Sequence, residues 1–531
     1  MGHIIGIDLG TTYSCVAYIE GTEPRIIPNL EGLPTTPSVV SFTDSGDILI
    51  GNLALRQAIT NPDKTIFAVK RLMGKKFDSD EVQDLMGRMP YKLAQAPNGD
   101  VLIEAKSDKI SPQELSAIIL KYLRKSAESY FGEEVTNTII TVPAHFNDHQ
   151  RQATKDAAKI AGLNVMRVIN EPTAASLAYG LERQEDSIIA VYDMGGGTFD
   201  ITLMEISNGI FHVLATNGST YLGGIDFDAR IMDWMLKKFE MECGIDLRED
   251  KYALQRVHEA AEKAKRELSF SMESEIHLPF ITADDKSSKH LRASLTRGKL
   301  ESLTKDLIDQ TFPLIDQALG DCRLGVDKID DIILVGGQTR MPLIRKTISE
   351  FFRKPPVEHL NPDEIVAMGA AVQSAVFNDR LKDLVLLLDV TPLSLGIETE
   401  HGRFVRIIEK NTTIPTRKTM AFTTVENNQR RVRVHVLQGE NETVTENISL
   451  AHFDLVGIGA APAGVPQIDV TFEINADGIV TVSAKDIDSG REQGIEVKPA
   501  SGLSKQEVDN IILKSHKKAT EEINDDKSGL L

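Results

Sequence analysis

Two aspartates each follow a short apolar run and precede a glycine turn. Asp8 follows the run at 4–7 and leads into Gly10, Thr11, Thr12 and Tyr13, and Asp193 leads into Gly195, Gly196, Gly197 and Thr198. Glycine lets the backbone approach an anion closely, amides and threonine hydroxyls donate to phosphate oxygens, and carboxylates at strand ends can hold Mg²⁺ through water. One such loop is as easily a structural turn, but a second copy favours a site that holds a triphosphate and its metal between the two.

Two further elements could complete a nucleotide site. A β-rich run at 332–335 leads into Gly336, Gly337, Gln338, Thr339 and Arg340, whose flat guanidinium could stack on a purine. The residues Glu262, Lys265, Arg266 and Ser269 are spaced i, i+3, i+4 and i+7, so one helix face carries all four. Taken alone, that spacing is more typical of a solvated helix face.

Along roughly the first 380 positions, predicted strands alternate with predicted helices. These elements would position the residues described above. Ser111 and Glu114 flank Pro112 in the pattern of a capping box, which predicts a helix from there towards Gly132. Strands are predicted at 138–142, 165–169 and 188–192, with a helix ending near Gly162 and another after Pro172. This alternation predicts an α/β fold with covered sheets.

The pattern changes after Asp389. Apolar and polar residues alternate strictly at 431–436, 468–472 and 479–482, and turn signals lie at 475–478 and 488–490. These features predict an antiparallel β-domain from Asp389 to about Gly502. Residues 504–524 then predict one helix, with Ser504 as its N-cap and Glu507 completing a capping box.

The junction between the two patterns carries five apolar residues, at 384–388, between Asp383 and Asp389. The pattern by itself favours an ordinary buried strand. The position of the run at the junction makes a switchable linker an alternative, because such a segment could be buried in one domain arrangement and exposed in another.

The amino-acid composition limits the classes of function that this chain can have. The 531 residues are 41% apolar, which suggests two to four domains with real cores. With 59 Lys+Arg against 78 Asp+Glu the net charge is −19, so we expect no nucleic-acid and no membrane partner. The cysteines are Cys15, Cys243 and Cys322, without CxxC spacing, and neither a signal peptide nor a membrane-length apolar run is visible. We therefore expect a soluble cytoplasmic protein.

At six places the residues resemble the heat-shock ATPase chaperones of the DnaK family. The matching segments are 5–12, 170–175, 193–200, 222–224, 336–340 and 389–396. The resemblance extends to about residue 520 and looks closest to the bacterial and mitochondrial branch. It implies an α/β actin-like two-lobed nucleotide-binding domain at 1–382, an apolar interdomain linker at 383–388, an antiparallel β-sandwich peptide-binding domain at 389–502, and at 503–531 a short helical stub of a lid that is mostly missing.

The resemblance also implies a function and its partners. It implies an ATPase that uses ATP/ADP and Mg²⁺ and couples hydrolysis allosterically to the binding and release of extended hydrophobic segments of unfolded polypeptides, as part of protein folding and the stress response. A J-domain co-chaperone and a nucleotide-exchange factor would be its partners. A specialised paralogue serving iron–sulfur cluster assembly is an open alternative within the family.

Site residues follow from the same resemblance, position by position. The catalytic and metal group would be Asp8, Lys70, Glu171, Asp193, Thr198 and Asp200, and Lys70 is singled out by the resemblance alone. The phosphate and adenosine contacts would come from the glycine loops, the helix face and the 337–340 turn described above. The peptide groove would use Ile397, Glu400, Phe422, Val425, Val432, Val434 and Ile468, although pattern cannot separate groove from core. The linker and J-domain contacts would be Arg167, Asn170, Leu386, Leu387, Leu388 and Asp389.

Four residues depart from the family pattern. Glu400 replaces an apolar residue that arches over the peptide, which should weaken an apolar clasp with Val425. Ile225 replaces a glutamate, His145 a tyrosine, and Tyr13 an asparagine typical of bacterial members.

Sugar kinases and filament proteins share the actin-like fold but would have no use for the linker and the β-domain. A peptide-binding regulator with a degenerate ATPase is opposed by the intact catalytic set.

Overall fold

The computed structural model describes residues 2–105, 108–181, 186–283, 287–378, 385–496, 503 and 506–513. We refer to 2–181 as the N-terminal part, 186–378 as the central part and 385–513 as the C-terminal part. The elements of the N-terminal part are β1 (Ile4–Asp8), β2 (Tyr13–Glu20), β3 (Glu23–Ile26), β4 (Thr35–Pro37), β5 (Val40–Phe42), β6 (Ile48–Ile50), α1 (Asn52–Gln57), β7 (Thr65–Ile66), α2 (Asp80–Met86), β8 (Lys92–Gln95), β9 (Val101–Ala105), β10 (Asp108–Ile110), α3 (Pro112–Phe131), β11 (Asn137–Val142), α4 (Asp148–Ile160), β12 (Asn164–Asn170) and α5 (Glu171–Gly180).

The elements of the central part are β13 (Ser187–Met194), β14 (Phe199–Ser207), β15 (Ile210–Ser219), α6 (Gly224–Cys243), α7 (Lys251–Glu267), β16 (Glu273–Ala283), β17 (Ser288–Thr296), α8 (Arg297–Asp309), α9 (Thr311–Asp321), β18 (Asp331–Val335), α10 (Pro342–Phe352) and α11 (Ile365–Phe377). Those of the C-terminal part are β19 (Leu386–Val390), β20 (Leu395–Thr399), β21 (Arg403–Ile408), β22 (Thr413–Ile414), β23 (Thr416–Phe422), β24 (Arg431–Gln438), β25 (Ile448–Val456), β26 (Ile468–Ile474), β27 (Val480–Asp486), β28 (Glu492–Glu496) and α12 (residues 506–513).

The mixed α/β character expected from the sequence is confirmed, and local signals place several element ends. The capping box of α3 forms in both directions, with Ser111 Oγ accepting from Glu114 N at 3.2 Å and Glu114 Oε2 from Ser111 N at 3.0 Å. Gly132 ends α3 with φ 71°, a conformation that glycine adopts at little cost. The predicted N-cap of the last helix, Ser504, lies outside the described residues.

Two six-stranded sheets share one arrangement of four strands. In the N-terminal sheet the order is β12-β11-β1-β2-β3, with β4 also paired to β2, and in the central sheet it is β18-β13-β14-β15-β19-β22. Each contains an antiparallel meander, β1-β2-β3 or β13-β14-β15, whose first strand has a parallel neighbour on its other side. Both sheets therefore bring the carboxyl ends of parallel strands to one edge, where ligands of α/β sheets bind.

Helices α5 and α11 pack between the two sheets. Their apolar residues form one buried cluster with strands of both sheets, and Val385, Leu387 and Val390 join the same cluster. The backbones approach closely here, because a Cβ on Gly369 of α11 would overlap the carbonyl oxygen of Ala174 in α5. A Cβ on Gly6 of β1 would likewise meet the backbone of α11 at Ala371.

Two four-stranded sheets make up most of the C-terminal part. Their orders are β21-β20-β24-β25 and β23-β26-β27-β28, with every neighbouring pair antiparallel. One apolar cluster lies between them, built from inward residues such as Leu395, Val436 and Phe472. The alternation at 431–436, 468–472 and 479–482 thus corresponds to three of these strands. Within the described ranges, none of the helices has both the length and the apolar character that crossing a membrane requires.

The strand β19 attaches the C-terminal part to the central sheet. It pairs in parallel with β15, Leu387 opposite Phe211, and antiparallel with β22. Leu387 is buried, Leu388 is half-buried, and the side chain of Leu386 is 52% exposed. Residues 386–388 of the proposed linker therefore belong to strand β19 in this arrangement, Val385 directly precedes it, and 383–384 lie outside the described residues.

The α5–α11 contact predicts a stability effect. We expect Gly369→Ala to lower the free energy of unfolding by about 1–3 kcal/mol, because the added methyl must displace backbone atoms. Gly320→Ala on α9 is the matched control, since apart from its chain neighbours and the backbone of its own helix no described atom lies within 4 Å of its Cβ position. That control should be neutral or stabilising by up to about 1 kcal/mol. Urea unfolding followed by circular dichroism measures both, and equal effects at the two glycines would contradict the close-packing argument.

Candidate functional site

A cavity of about 500 Å³ lies between the N-terminal and central parts. It opens at the sheet edge where β1, β13 and β18 end, and α6, α7 and α11 complete its wall. Most of the residues singled out in the sequence line it, namely Asp8, Gly10, Thr11, Thr12, Tyr13, Lys70, Glu171, Asp193, Gly195, Gly196, Thr198, Glu262, Lys265, Arg266, Ser269, Gly337, Gln338 and Arg340. Gly197, Asp200 and Thr339 are buried beside it.

The two glycine loops touch each other at the base of this cavity. A Cβ on Gly196 would overlap Thr12 Oγ1, and one on Gly197 would crowd Thr11. The amides of Gly224 and Ile225 donate to the carbonyls of Gly195 and Gly196, each at 2.9 Å. Glycine is therefore required for the loops from the two sheets to meet at this distance.

A buried ion pair stands beside the loops. Lys70, in the short 3₁₀ turn Val69–Leu72, donates from Nζ to Oε1 of Glu171, the first residue of α5. Both side chains are almost fully shielded from solvent. Asp200 Oδ1 accepts from the backbone amide of His145 at 3.0 Å in the same region. One cation and several carboxylates are thus held together where the two parts of the chain face each other.

Burial makes this carboxylate cluster hard to ionise. It raises the pKa of Asp8 to about 7, with Glu171 as the next cause, and the pKa of Asp200 to about 7 for the same two reasons. The pKa of Asp193 rises well above its ordinary value through burial and then through Glu171, Asp200 and Asp8. Asp193 Oδ2 is buried and has no hydrogen-bond partner among the described residues. A divalent cation would supply the charge and the partner that this cluster lacks, so the residues fit Mg²⁺.

The helix face on α7 is also part of the cavity wall. Lys265 Nζ donates to Gly224 O at 2.8 Å and to Asp228 Oδ2 at 3.0 Å. Arg266 Nη1 donates to the hydroxyl of Tyr13 at 2.9 Å. The face that looked solvated from its spacing therefore lines the cavity. Across from it, Arg340 is held by Asp363 Oδ2, 2.6 Å from its Nη2.

Arg71 forms a contact between the N-terminal and central parts that the sequence did not reveal. Its guanidinium makes a two-pronged ion pair with Asp226, donates to Gly197 O at 3.2 Å and lies 4.5 Å from the ring centre of Tyr221. Its side chain is almost fully buried. Ile225, the departure from the family glutamate, packs against the core of the N-terminal part. An arginine following Lys70 carries no spacing signal, so only the folded structure identifies its partner.

The comparison with protein families decides the identity of this arrangement. The family model described as Hsp70 protein matches residues 4–528. The chain belongs to the Hsp70 family. Proteins of this family are ATP-dependent chaperones and ATPases that bind ATP or ADP with Mg²⁺, act on unfolded polypeptides with co-chaperones, and take part in the stress response.

The positions predicted for the peptide groove separate into three groups by burial. Three belong to the core between the four-stranded sheets, namely Ile397, Val434 and Ile468. Phe422 and Val432 are partly buried and pack against that core. Glu400 and Val425 are exposed, Val425 to 54%. The two positions predicted to arch over the peptide therefore lie at the surface, whereas the other five belong to the core or pack against it.

The positions matched to J-domain docking lie at the junction of the three parts. Asn170 Nδ2 donates to Asp389 Oδ1 at 2.8 Å, and Arg151 Nη2 donates to Asn170 Oδ1 at 2.5 Å. Asn170 and Asp389 are buried and Arg167 is half-buried. Burial raises the pKa of Asp389, opposed by Arg151 and Arg167. In this arrangement of the Hsp70 the C-terminal part thus covers these polar groups.

His149 provides a further contact between α4 and the C-terminal part. Its Nε2 is 3.2 Å from Leu450 O in β25, and the side chain is buried. Burial lowers the pKa of His149 to about 4. The neutral imidazole is therefore the form that fits the docked arrangement.

The burial of His149 predicts that docking of the C-terminal part onto α4 depends on pH. A docked-state pKa of about 4 against an ordinary value of about 6.5 favours docking above pH 6.5 and weakens it as the pH falls, by about tenfold between pH 7.5 and 5.5. His149→Gln keeps a donor for Leu450 O but cannot titrate. Fluorophores placed in the central and C-terminal parts report docking by energy transfer, and the variant should lack the tenfold change. Parallel pH profiles for the two proteins would contradict this role.

Proposed function

We propose that this Hsp70 is a DnaK-type ATPase chaperone in which an actin-like two-lobed domain, residues 1–382, hydrolyses Mg·ATP in the interlobe cavity. The apolar linker at 383–388 couples it to a β-sandwich at 389–502 that binds extended hydrophobic segments, followed by a lid stub at 503–531. The observation that carries the proposal is the meeting of both glycine loops with the Lys70–Glu171 pair in one cavity. The linker strand β19 also belongs to the sheet that presents Asp193 to that cavity.

The residues of the cavity have different roles in the transfer of a phosphoryl group to water. Asp8 and Asp193 would hold Mg²⁺, and the hydroxyls of Thr11, Thr12 and Thr198 would hold phosphate oxygens. Bound Mg²⁺ supplies positive charge against the phosphates. Lys70 adds a cation near the transferred group, and Glu171 with Asp200 orients the attacking water. Positioning and charge neutralisation carry most of such catalysis.

The nucleoside end of the cavity is assigned to α7 and to the 337–340 turn. Glu262, Lys265, Arg266 and Ser269 would surround the ribose and base on one side. Arg340, already oriented by Asp363, would present its planar guanidinium on the other. Glycine at 337 leaves room for the base to approach the backbone.

The C-terminal part is assigned to peptide binding. An extended peptide would take backbone hydrogen bonds from the sheet and place one apolar side chain between Phe422 and Val432, with Ile397, Val434 and Ile468 beneath. Glu400 at the arch would make the clasp over the peptide weaker than an apolar residue would. A J-domain co-chaperone would engage Arg167, Asn170 and Asp389 when the C-terminal part moves away from them, and a nucleotide-exchange factor would complete the cycle.

The chemistry is tested at Lys70. We expect Lys70→Ala to keep Mg·ATP binding and to lose hydrolysis by about 10²-fold or more, as is typical when a charge is removed from a phosphoryl-transfer site. Single-turnover hydrolysis measures the step, and equilibrium titration with a fluorescent nucleotide measures binding. Lys75→Ala is a matched control, because its ammonium pairs with Glu81, 2.9 Å away, and does not line the cavity. A hydrolysis rate within a few-fold of the parent would refute the assignment of Lys70.

The proposed coupling between ATP hydrolysis and peptide binding is tested by substituting two neighbouring leucines of β19. Leu387 is buried in the core between the two large sheets and Leu386 is mostly exposed, so the pair forms a matched experiment. Burial of a leucine is worth about 1.5–3 kcal/mol, enough to shift docking by more than tenfold. We expect Leu387→Asp to abolish both peptide-stimulated hydrolysis and ATP-induced peptide release, and Leu386→Asp to leave them near the parent values. If Leu387→Asp retains both responses at normal size, the run is an ordinary buried strand without a coupling role.

A further inference from the structure

Three polar side chains form a hydrogen-bonded row across the β21-β20-β24-β25 sheet of the C-terminal part, on the face opposite its apolar cluster. His435 in β24 lies between Glu398 in β20 and Ser449 in β25. Its Nδ1 is 2.7 Å from Glu398 Oε2, and its Nε2 is 2.8 Å from Ser449 Oγ. A carboxylate, an imidazole and a hydroxyl in this order are the groups that can activate a serine as a nucleophile.

The chemistry of the three groups determines which atom carries each proton. An ionised carboxylate can only accept a hydrogen bond, so Nδ1 of His435 donates its proton to Glu398. Nε2 of the neutral imidazole then carries a lone pair, and the hydroxyl of Ser449 donates to it. A general base needs this tautomer, because its lone pair already faces the proton that it must accept.

A β-bulge in β25 brings Ser449 to this face of the sheet. The register changes from Val436 opposite Ala451 to Leu437 opposite Ser449, so Leu450 is an extra residue. Leu450 and Ala451 follow each other and are both buried in the core, whereas consecutive residues of a regular strand face opposite ways. Without the extra residue, the side chain of Ser449 would point into the core and away from the imidazole.

The imidazole of the row is restrained, and the hydroxyl is open to solvent. The ring of His435 stacks on that of His452, with 3.8 Å between the ring centres and 20° between the planes. The side chain of His435 is 12% exposed, whereas Ser449 is exposed. A base held in one orientation beside an accessible hydroxyl is the arrangement in which a serine can meet a substrate from solution.

We propose that Ser449 is an activated nucleophile that takes an acyl group from an activated ester or thioester. Ser449 Oγ attacks the carbonyl carbon while its proton passes to Nε2 of His435, and the leaving group departs with that proton. Water then attacks the acyl-serine, with His435 taking a proton from the water and returning one to Ser449 Oγ. The net reaction is hydrolysis of the ester or thioester. Glu398 is a positioning residue, because it acts through the imidazole.

Labelling of the full chain with a fluorophosphonate probe, which reacts with activated serine hydroxyls, tests the nucleophile. Peptide mass spectrometry then gives the labelling rate of each serine. We expect Ser449 to react about 10²-fold faster than Ser489, the matched control. Ser489 is also exposed in the C-terminal part, but its hydroxyl donates to the carboxylate of Asp486 rather than to an imidazole. Labelling of Ser449 no faster than that of Ser489 overturns the proposal, and this measurement needs no substitution.

Substitutions test whether the serine acts through the other two residues. We expect His435→Gln, which keeps hydrogen-bonding groups but cannot take up the proton, to slow the labelling of Ser449 and the hydrolysis of p-nitrophenyl acetate by about 10²-fold. Glu398→Gln should lower kcat by about tenfold with KM unchanged, and Glu398→Asp should restore part of the rate. Ser449→Ala should remove the catalysed hydrolysis, and Ser489→Ala should leave it at the parent rate.

Two results of these substitutions contradict the proposal. If Ser449 is labelled at the parent rate in His435→Gln, the imidazole is not its base. If hydrolysis of p-nitrophenyl acetate is the same in Ser449→Ala as in the parent protein, the hydroxyl is not the nucleophile. Either result leaves the proposed ATPase and chaperone function standing, because the row lies outside the cavity between the N-terminal and central parts.

Discussion

The close contact of α5 and α11 between the two large sheets is the constraint on which the rest of this Hsp70 depends. Gly369 and Gly6 bring backbone against backbone there, so the relative position of the sheets is set by main-chain atoms rather than by adaptable side chains. Packed interiors transmit small displacements because they have few voids. Glu171 begins α5, so the helix that fixes the sheets also fixes one member of the buried Lys70–Glu171 ion pair.

The same apolar cluster connects the cavity to the C-terminal part. Leu387 enters it from β19, while Asp389, two residues later, bonds to Asn170 at the end of β12. A change in the separation of the two sheets would therefore change the packing around β19, the strand that attaches the C-terminal part. The coupling proposed for this Hsp70 needs no long chain of intermediaries, because the linker strand and the site share a sheet and a core.

The charged side chains of the cavity are also grouped closely together. The cavity collects carboxylates whose pKa values are raised by burial, and Lys70 is bonded to Glu171 within this group. Such a cluster is unstable as a set of bare anions and is balanced when a divalent cation and its waters enter. The acidic chain as a whole repels polyanions, whereas the pocket proposed as the nucleotide site would accept one together with a divalent cation.

The sequence by itself determined the local features. The glycine loops after Asp8 and Asp193, the capping box of α3 and the alternating strands after Asp389 depend on neighbours a few positions apart, and the structure has each of them. Lys70 was found through family resemblance, since a lysine among apolar residues has no spacing signal. Only the tertiary structure decided that Arg71 faces Asp226, that Arg266 meets Tyr13, and that Leu387 is buried while Leu386 is exposed. The reason is physical: these outcomes depend on contacts between residues far apart in the chain, and burial cannot be read from a residue type or a period.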